Sequence, residues 1–315
     1  MKSTFLKCVT KRSAMRTAKR AGSLIGNRVV NRVAKRVGAA GLALMTTLSL
    51  VACGSASQAD VVGPKIRIGI KFDQPGISVE QSGTYSGFAV DTARYVAEKL
   101  GYAPKQIVFK QVTSAQRESL LQNGTVDMIV DTYTITKDRQ KVVDFAGPFF
   151  VAGQDLLIRK SEKSEITSPR DLANKKVCSA TGSTSAKIVQ DYFPKTTQLM
   201  LLNGYSECLT ALLSGTVDAV TTDDLILATL AAAKADSSLM VVGHPFTEES
   251  YGIGVKKGSA VLVEKINEAL KSYVSSGAWQ RAIDKATKGT GYKPNPKFNP
   301  PTRFDARASD QIARF

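Results

Sequence analysis

The sequence is poor in the residues on which most metal and acid–base chemistry depends. Its 315 residues include one histidine, one tryptophan and four cysteines, with no Cys-x-x-Cys pair and no histidine cluster. A zinc site or a histidine-centred catalytic apparatus therefore has no raw material, and His244, followed by Pro245, reads as structural. Aspartate and glutamate are absent from the first 52 positions.

That absence explains the composition. The formal net charge of +16 would by itself suggest nucleic acid or an anionic membrane as partner. Eleven of the 43 basic residues, from Lys2 to Arg36, lie in positions 1–52, which leaves 32 basic and 27 acidic residues for the rest. The excess belongs to a leader, and no nucleic-acid partner is expected. Val37 to Ala52 is uncharged and shorter than the ~20 apolar residues that span a bilayer, the layout of a secretory signal.

Directly after it, Leu50-Val51-Ala52-Cys53-Gly54 resembles the lipobox of bacterial lipoproteins. The resemblance implies lipidation of Cys53 as the first mature residue, a membrane anchor there, and residues 53–64 as a tether. The alternative is an ordinary signal peptide with an incidental cysteine. With Cys8 in the leader and Cys53 spoken for, Cys178 and Cys208 remain in a disulfide-permitting compartment. A bridge between them is expected, two buried free thiols being the alternative.

From residue 65 onward strand and helix signals alternate, as in α/β proteins with mostly parallel sheets. Lys65 to Lys71 reads as a strand, Gly87 to Leu100 as a helix, Gln106 to Val112 as a strand, Ser114 to Gln122 as a helix and Val126 to Val130 as a strand. Later come Lys176 to Cys178, a helix over Ala186 to Tyr192, the strand Tyr251 to Lys256, and helices over Ala260 to Ser275 and Trp279 to Lys288. Leu121 to Asp127 (LQNGTVD) recurs 91 positions later as Leu212 to Asp218 (LLSGTVD). Each copy ends a helix, stops it with glycine and opens a strand, so two lobes of similar architecture are expected. Gly147-Pro148-Phe149-Phe150 and His244-Pro245-Phe246-Thr247 read as crossings between them, because proline is tolerated at edges and connections. The expected lobes are 65–149 with 246–300, and 150–245, followed by a tail at 301–315.

Ligands of open α/β sheets bind beyond the carboxyl ends of the strands. Lobe one offers Lys71, Phe72, Asp73 and Gln74, then Ser114 and Arg117, then Thr132, Thr134 and Arg139. Lobe two offers Ser179 to Ser185 (SATGSTS), with Ser183 and Thr184 opening a helix, and Thr222, Asp223 and Asp224. A guanidinium grips a carboxylate through two parallel bonds, although Arg139 also sits in the charged run Lys137 to Lys141. The SATGSTS loop lacks the lysine of a phosphate-binding loop, so a carboxylate suits it better than a nucleotide. One cationic grip and one acidic acceptor match a zwitterionic amino acid.

On these motifs, residues 65 to about 290 resemble the family 3 extracellular solute-binding proteins, the receptors of polar amino-acid ABC importers. Lys71 to Gly76, Ser114 to Arg117, Ser179 to Ser185 and Val220 to Asp224 resemble the glutamate- and glutamine-binding lipoproteins of Gram-positive bacteria. The resemblance implies a type II two-lobe fold and a monomer that delivers its ligand to permease subunits from the extracellular face of the membrane. It places the α-carboxylate on Arg139 with Thr134, the α-ammonium on Asp223, and further contacts on Thr132, Ser183 and Thr184. Relatives often cover the ligand with an aromatic ring, where this chain has Gln74 and Ser114, with Phe72 as a substitute. Lys71 or Arg117 would pair with a distal carboxylate, which favours glutamate or aspartate over glutamine, with glutamate the choice; if both are solvated rim charges, glutamine stays open. A dehydratase on the same scaffold would need Asp73 or Asp224 as its acid or base, and a sensor module would need a signalling partner. No cofactor is expected.

Overall fold

The computed structural model describes residues 63–234 and 238–309; the basic leader, Cys53 and most of the expected tether lie outside them. The chain opens with β1 (Ile66–Ile70), a hairpin sheet of β2 (Asp73–Gln74), β3 (Ser78–Gln81) and β4 (Thr84–Ser86), and helix α1 (Phe88–Lys99). Next come β5 (Ile107–Gln111), α2 (Arg117–Gln122), β6 (Met128–Thr134), α3 (Lys137–Gln140) and β7 (Val143–Ala152). The middle of the chain is β8 (Gln154–Arg159), β9 (Lys176–Ala180), α4 (Thr184–Tyr192), β10 (Gln198–Leu202), α5 (Tyr205–Leu213), β11 (Ala219–Asp223), α6 (Asp224–Ala233) and β12 (Leu239–Val241). It closes with β13 (Glu249–Lys256), α7 (Ala260–Ser275) and α8 (Ala278–Thr287).

Two five-stranded sheets result, in the orders β5-β1-β6-β13-β7 and β10-β9-β11-β8-β12. β5, β1 and β6 pair in parallel, and so do β10, β9 and β11. β13 runs antiparallel to both its neighbours, and β8 to both of its own. The direction follows from connectivity: β7 leads out of lobe one and β8 follows it into lobe two after Gly153 alone, while β12 leads back and β13 returns. Strands that run toward the cleft are therefore parallel to one another, and the one strand per sheet that leaves it is reversed.

The expected first crossing lies differently. Gly147 to Phe150 is inside β7, at the edge of its sheet and beside the register shift between Tyr251 and Ile253, where a missing N–H breaks no central ladder. The second, His244 to Thr247, is loop between β12 and β13. The segment Tyr292 to Pro301 has no helix or strand, as expected, yet residues 299–309 bind along lobe one: the Asn299 amide pairs with both backbone groups of Val151, and Ala306 N–H donates to the Gly147 carbonyl.

The sequence repeat is a structural repeat. Gly124 and Gly215 both have positive φ (72° and 74°) after α2 and α5, with no Cβ in their way. Asp127 then accepts the backbone N–H of Arg67 at 2.7 Å, and Asp218 accepts that of Lys176 at 2.7 Å. Each aspartate thereby clamps the start of its strand to the parallel neighbour in its own sheet, β6 to β1 and β11 to β9. The apolar face read from α1 is buried at Phe88, Val90, Ala93, Val96 and Ala97, and packs with Phe149, Phe150 and Trp279 in the largest core cluster. In lobe two, Cys178 of β9 and Cys208 of α5 form the disulfide, with Cα atoms 5.5 Å apart.

Candidate functional site

The strand ends and their following loops meet where the two lobes touch. In lobe one Lys71 follows β1, and its Nζ donates to Ser114 Oγ at 2.8 Å. Gln74 of the hairpin is fully buried, and its Nε2 donates to Thr132 Oγ1 at 3.1 Å. Arg117, 2% exposed, is seated on an acid: Nη1 reaches Asp131 at 3.2 Å and the Thr132 carbonyl at 3.1 Å, Nε reaches the Ser114 carbonyl, and the guanidinium lies 4.2 Å from the Tyr133 ring centre. Asp131 thus neutralises Arg117 in place.

Arg139 is carried by α3, whose N-terminus is capped by Thr136. Its Nη1 donates to the Thr134 carbonyl at 2.8 Å, its Nη2 to the Gly182 carbonyl of lobe two at 3.1 Å, and its Nε lies 3.2 Å from Glu118. Those contacts use three of five N–H groups, leaving one on each terminal nitrogen. Burial, and then the charge of Arg117, lowers its pKa. Among the described residues Lys71 makes one hydrogen bond, to Ser114, with three donors. Burial, reinforced by Arg117, brings its pKa down to about 8.

Lobe two presents hydroxyls and acid. Ser183 caps α4 by accepting Ala186 N–H, and Thr184 donates to Glu249 at 3.1 Å and lies 3.4 Å from Thr134 across the cleft. Asp223 ends β11, 4% exposed, and one of its oxygens accepts the Tyr251 hydroxyl at 2.6 Å. Its other oxygen, Oδ1, and Thr222 Oγ1 are buried with no hydrogen-bond partner among the described residues. Burial, with Glu249 nearby, raises the Asp223 pKa well above the usual carboxylate range, the expected cost of an acid held without a cation.

The structure thus brings Lys71, Gln74, Ser114, Arg117, Thr132, Thr134, Arg139, Ser183, Thr184, Thr222 and Asp223 to the lobe junction. Phe72 is half-buried and joins none of the three apolar clusters. Three participants escaped the sequence reading. Glu249 and Tyr251 lie two apart on β13, hence on one face, and reach Thr184 and Asp223. Tyr205, the first residue of α5, is buried beside Ser179, Ser183 and Thr222. The signal for the first two was an acid and an aromatic at period two where the second crossing enters its strand. Asp73 and Asp224, the acids available to a dehydratase, are both engaged as acceptors: Asp73 by Ser206, Asp224 by the Gly153 and Leu225 amides.

Comparison with known proteins bears on the family and the fold. The model of the bacterial extracellular solute-binding proteins, family 3, matches residues 66–288. The glutamate-binding protein GluB of Corynebacterium efficiens is 38% identical over 260 residues, covering 78% of this chain and 88% of that protein. The glutamine-binding protein GlnH of Bacillus subtilis, an ABC transporter component, is 38% identical over 264 residues, covering 78% and 95%. Among solved structures, an ancestral arginine-binding protein bound to arginine superposes with a TM-score of 0.65 at 33% identity, covering 71% of this chain and 98% of its own. These relatives are named as binding proteins rather than enzymes, which favours capture of a ligand over the dehydratase alternative. The chain belongs to the family 3 bacterial extracellular solute-binding proteins.

Proposed function

We propose that the protein is the receptor of an amino-acid ABC importer and that it captures L-glutamate between its lobes. The observation that carries this reading is the pairing of unmatched groups across the junction. Lobe two buries one carboxylate oxygen, Asp223 Oδ1, and the Thr222 hydroxyl without hydrogen-bond partners among the described residues, while lobe one buries cations with donors to spare at Arg139 and Lys71. An α-ammonium donates to Asp223 and Thr222, an α-carboxylate takes the two remaining N–H groups of Arg139, and Thr132, Thr134, Ser183 and Thr184 supply polar contacts. Phe72 supplies the aromatic surface.

For the side chain, Lys71 is the better partner of a distal carboxylate, because Arg117 is already neutralised by Asp131. That favours glutamate over glutamine. The lobe boundaries near 149 and 245, the lipid anchor at Cys53, a monomeric state and delivery to permease subunits on the extracellular face complete the proposal. A ligand that touches both lobes stabilises the closed form, and closure follows as a population shift.

A thermal-shift screen against the common amino acids tests it, since a ligand of the native state adds RT ln(1 + [L]/Kd) to stability. The largest shift is expected for L-glutamate. A flat screen contradicts the receptor reading, and a larger shift for glutamine contradicts the role of Lys71.

A further inference from the structure

Helix α5 begins without a cap of its own. Its N-cap is Gly204, which has no side chain to accept the first-turn N–H groups. The acceptor comes from the other lobe: Asp73, on the β2 hairpin, takes the Ser206 N–H on Oδ2 at 3.4 Å, and its carbonyl takes the Ser206 hydroxyl at 2.7 Å. Ser206 is the second residue of α5, where a capping carboxylate acts. Glycine at 204 is what the approach permits, since a methyl group there would overlap Asp73 Oδ2. A second close approach between the lobes is also built on glycine: a Cβ on Gly182 would lie 2.7 Å from the Ala115 Cα.

We propose that Asp73 is a positioning residue, an interlobe latch that caps α5 in trans and sets amino-acid affinity through closure. The proposal rests on the receptor reading above. α5 is a firm catch because Cys208 ties it to β9 through Cys178, and because its first residue, Tyr205, packs beside Ser183 and Thr222 next to Asp223. Separating the lobes returns Asp73 to water and leaves the first turn of α5 uncapped, so the contact favours the closed form only. A latch of this kind changes the closed fraction, and apparent affinity scales with that fraction. It acts equally on every ligand, because it does not read the side chain.

The test compares Asp73→Ala, Asp73→Asn and Gly204→Ala in the full protein by calorimetric titration and stopped-flow dissociation. Loss of a helix cap corresponds to roughly 2- to 30-fold in affinity. Asp73→Ala is expected to weaken glutamate and glutamine by the same factor, nearly all of it in the dissociation rate, and Gly204→Ala is expected to do the same. Asp73→Asn, which still caps, stays within about threefold of the parent. Unchanged affinity and dissociation in Asp73→Ala, or a changed glutamate-to-glutamine ratio, overturns the latch. Failure of the parent protein to bind any amino acid instead overturns the receptor reading. Small-angle scattering of the ligand-free proteins then decides the latch: a larger radius of gyration in Asp73→Ala and Gly204→Ala supports it, and an unchanged radius overturns it.

Discussion

The two lobes share one frame and differ where they face each other. At the 91-residue offset, Gly124 matches Gly215 and Asp127 matches Asp218, and both pairs do the same job in the same way. The same offset pairs Ser114 with Tyr205, Arg117 with Cys208, Asp131 with Thr222 and Thr132 with Asp223. At those positions lobe one seats a buried cation on its acid and leaves Lys71 and Arg139 donors to spare. Lobe two puts a disulfide in place of the cation and leaves Asp223 Oδ1 and the Thr222 hydroxyl without hydrogen-bond partners among the described residues. The scaffold sets where the strand ends point, and in the proposed function the residues at those ends would divide a zwitterion between the lobes.

The strongest break of that division is Arg139→Ala. It removes two charge-assisted bonds worth roughly 1.5–3 kcal/mol each, so titration is expected to show glutamate affinity falling by at least about 100-fold, with circular dichroism confirming the fold. The asymmetry of the staples comes next. Replacing Cys178 and Cys208 by serine removes a cross-link spanning 30 residues, worth roughly 3–4 kcal/mol in the chain-entropy model, and calorimetry is expected to show Tm lower by about 7–15 °C.

Lys71→Met sharpens the comparison inside lobe one. Glutamate affinity is expected to drop about 10- to 100-fold while glutamine affinity holds, reversing the preference in paired titrations. The pH dependence has a definite sign. The protonated amine is the form that holds a distal carboxylate, and in the free protein its pKa is about 8, lowered by burial and Arg117. Bound glutamate raises that pKa, so affinity is full below pH 8 and falls above it, by up to about tenfold per unit; in Lys71→Met the slope disappears. The smallest effects fall on the shared frame: Asp127→Ala and Asp218→Ala are each expected to cost about 1 kcal/mol by denaturant titration, comparably in the two lobes.

Much of this was legible from residue order. Alternating strands and helices, the glycine-stopped repeat and the paired cysteines are local or short-range signals. Arg139 and Asp223 could be singled out because one closely follows, and the other ends, a strand that the repeat marks out. What escaped depends on long-range pairing. Tyr251 reaches Asp223 because β13 lies beside β6, with Tyr251 opposite Thr134, more than a hundred residues away. The β2–β4 sheet did leave a local trace, the Ser82-Gly83 pair between polar strands. Both residues have positive φ, 50° and 79°, as a two-residue hairpin turn requires. That Arg117 is neutralised was unreadable, since Asp131 meets it only once α2 packs beside β6.

The central claim is that lobe one holds the carboxylates and lobe two the ammonium. Calorimetric titration of the parent protein with L-glutamate and with glutarate, which keeps both carboxylates and lacks the ammonium, tests it most directly. Binding of glutamate with no measurable binding of glutarate is the predicted result; equal affinity for the two would contradict the division of labour between Asp223 and the cations facing it.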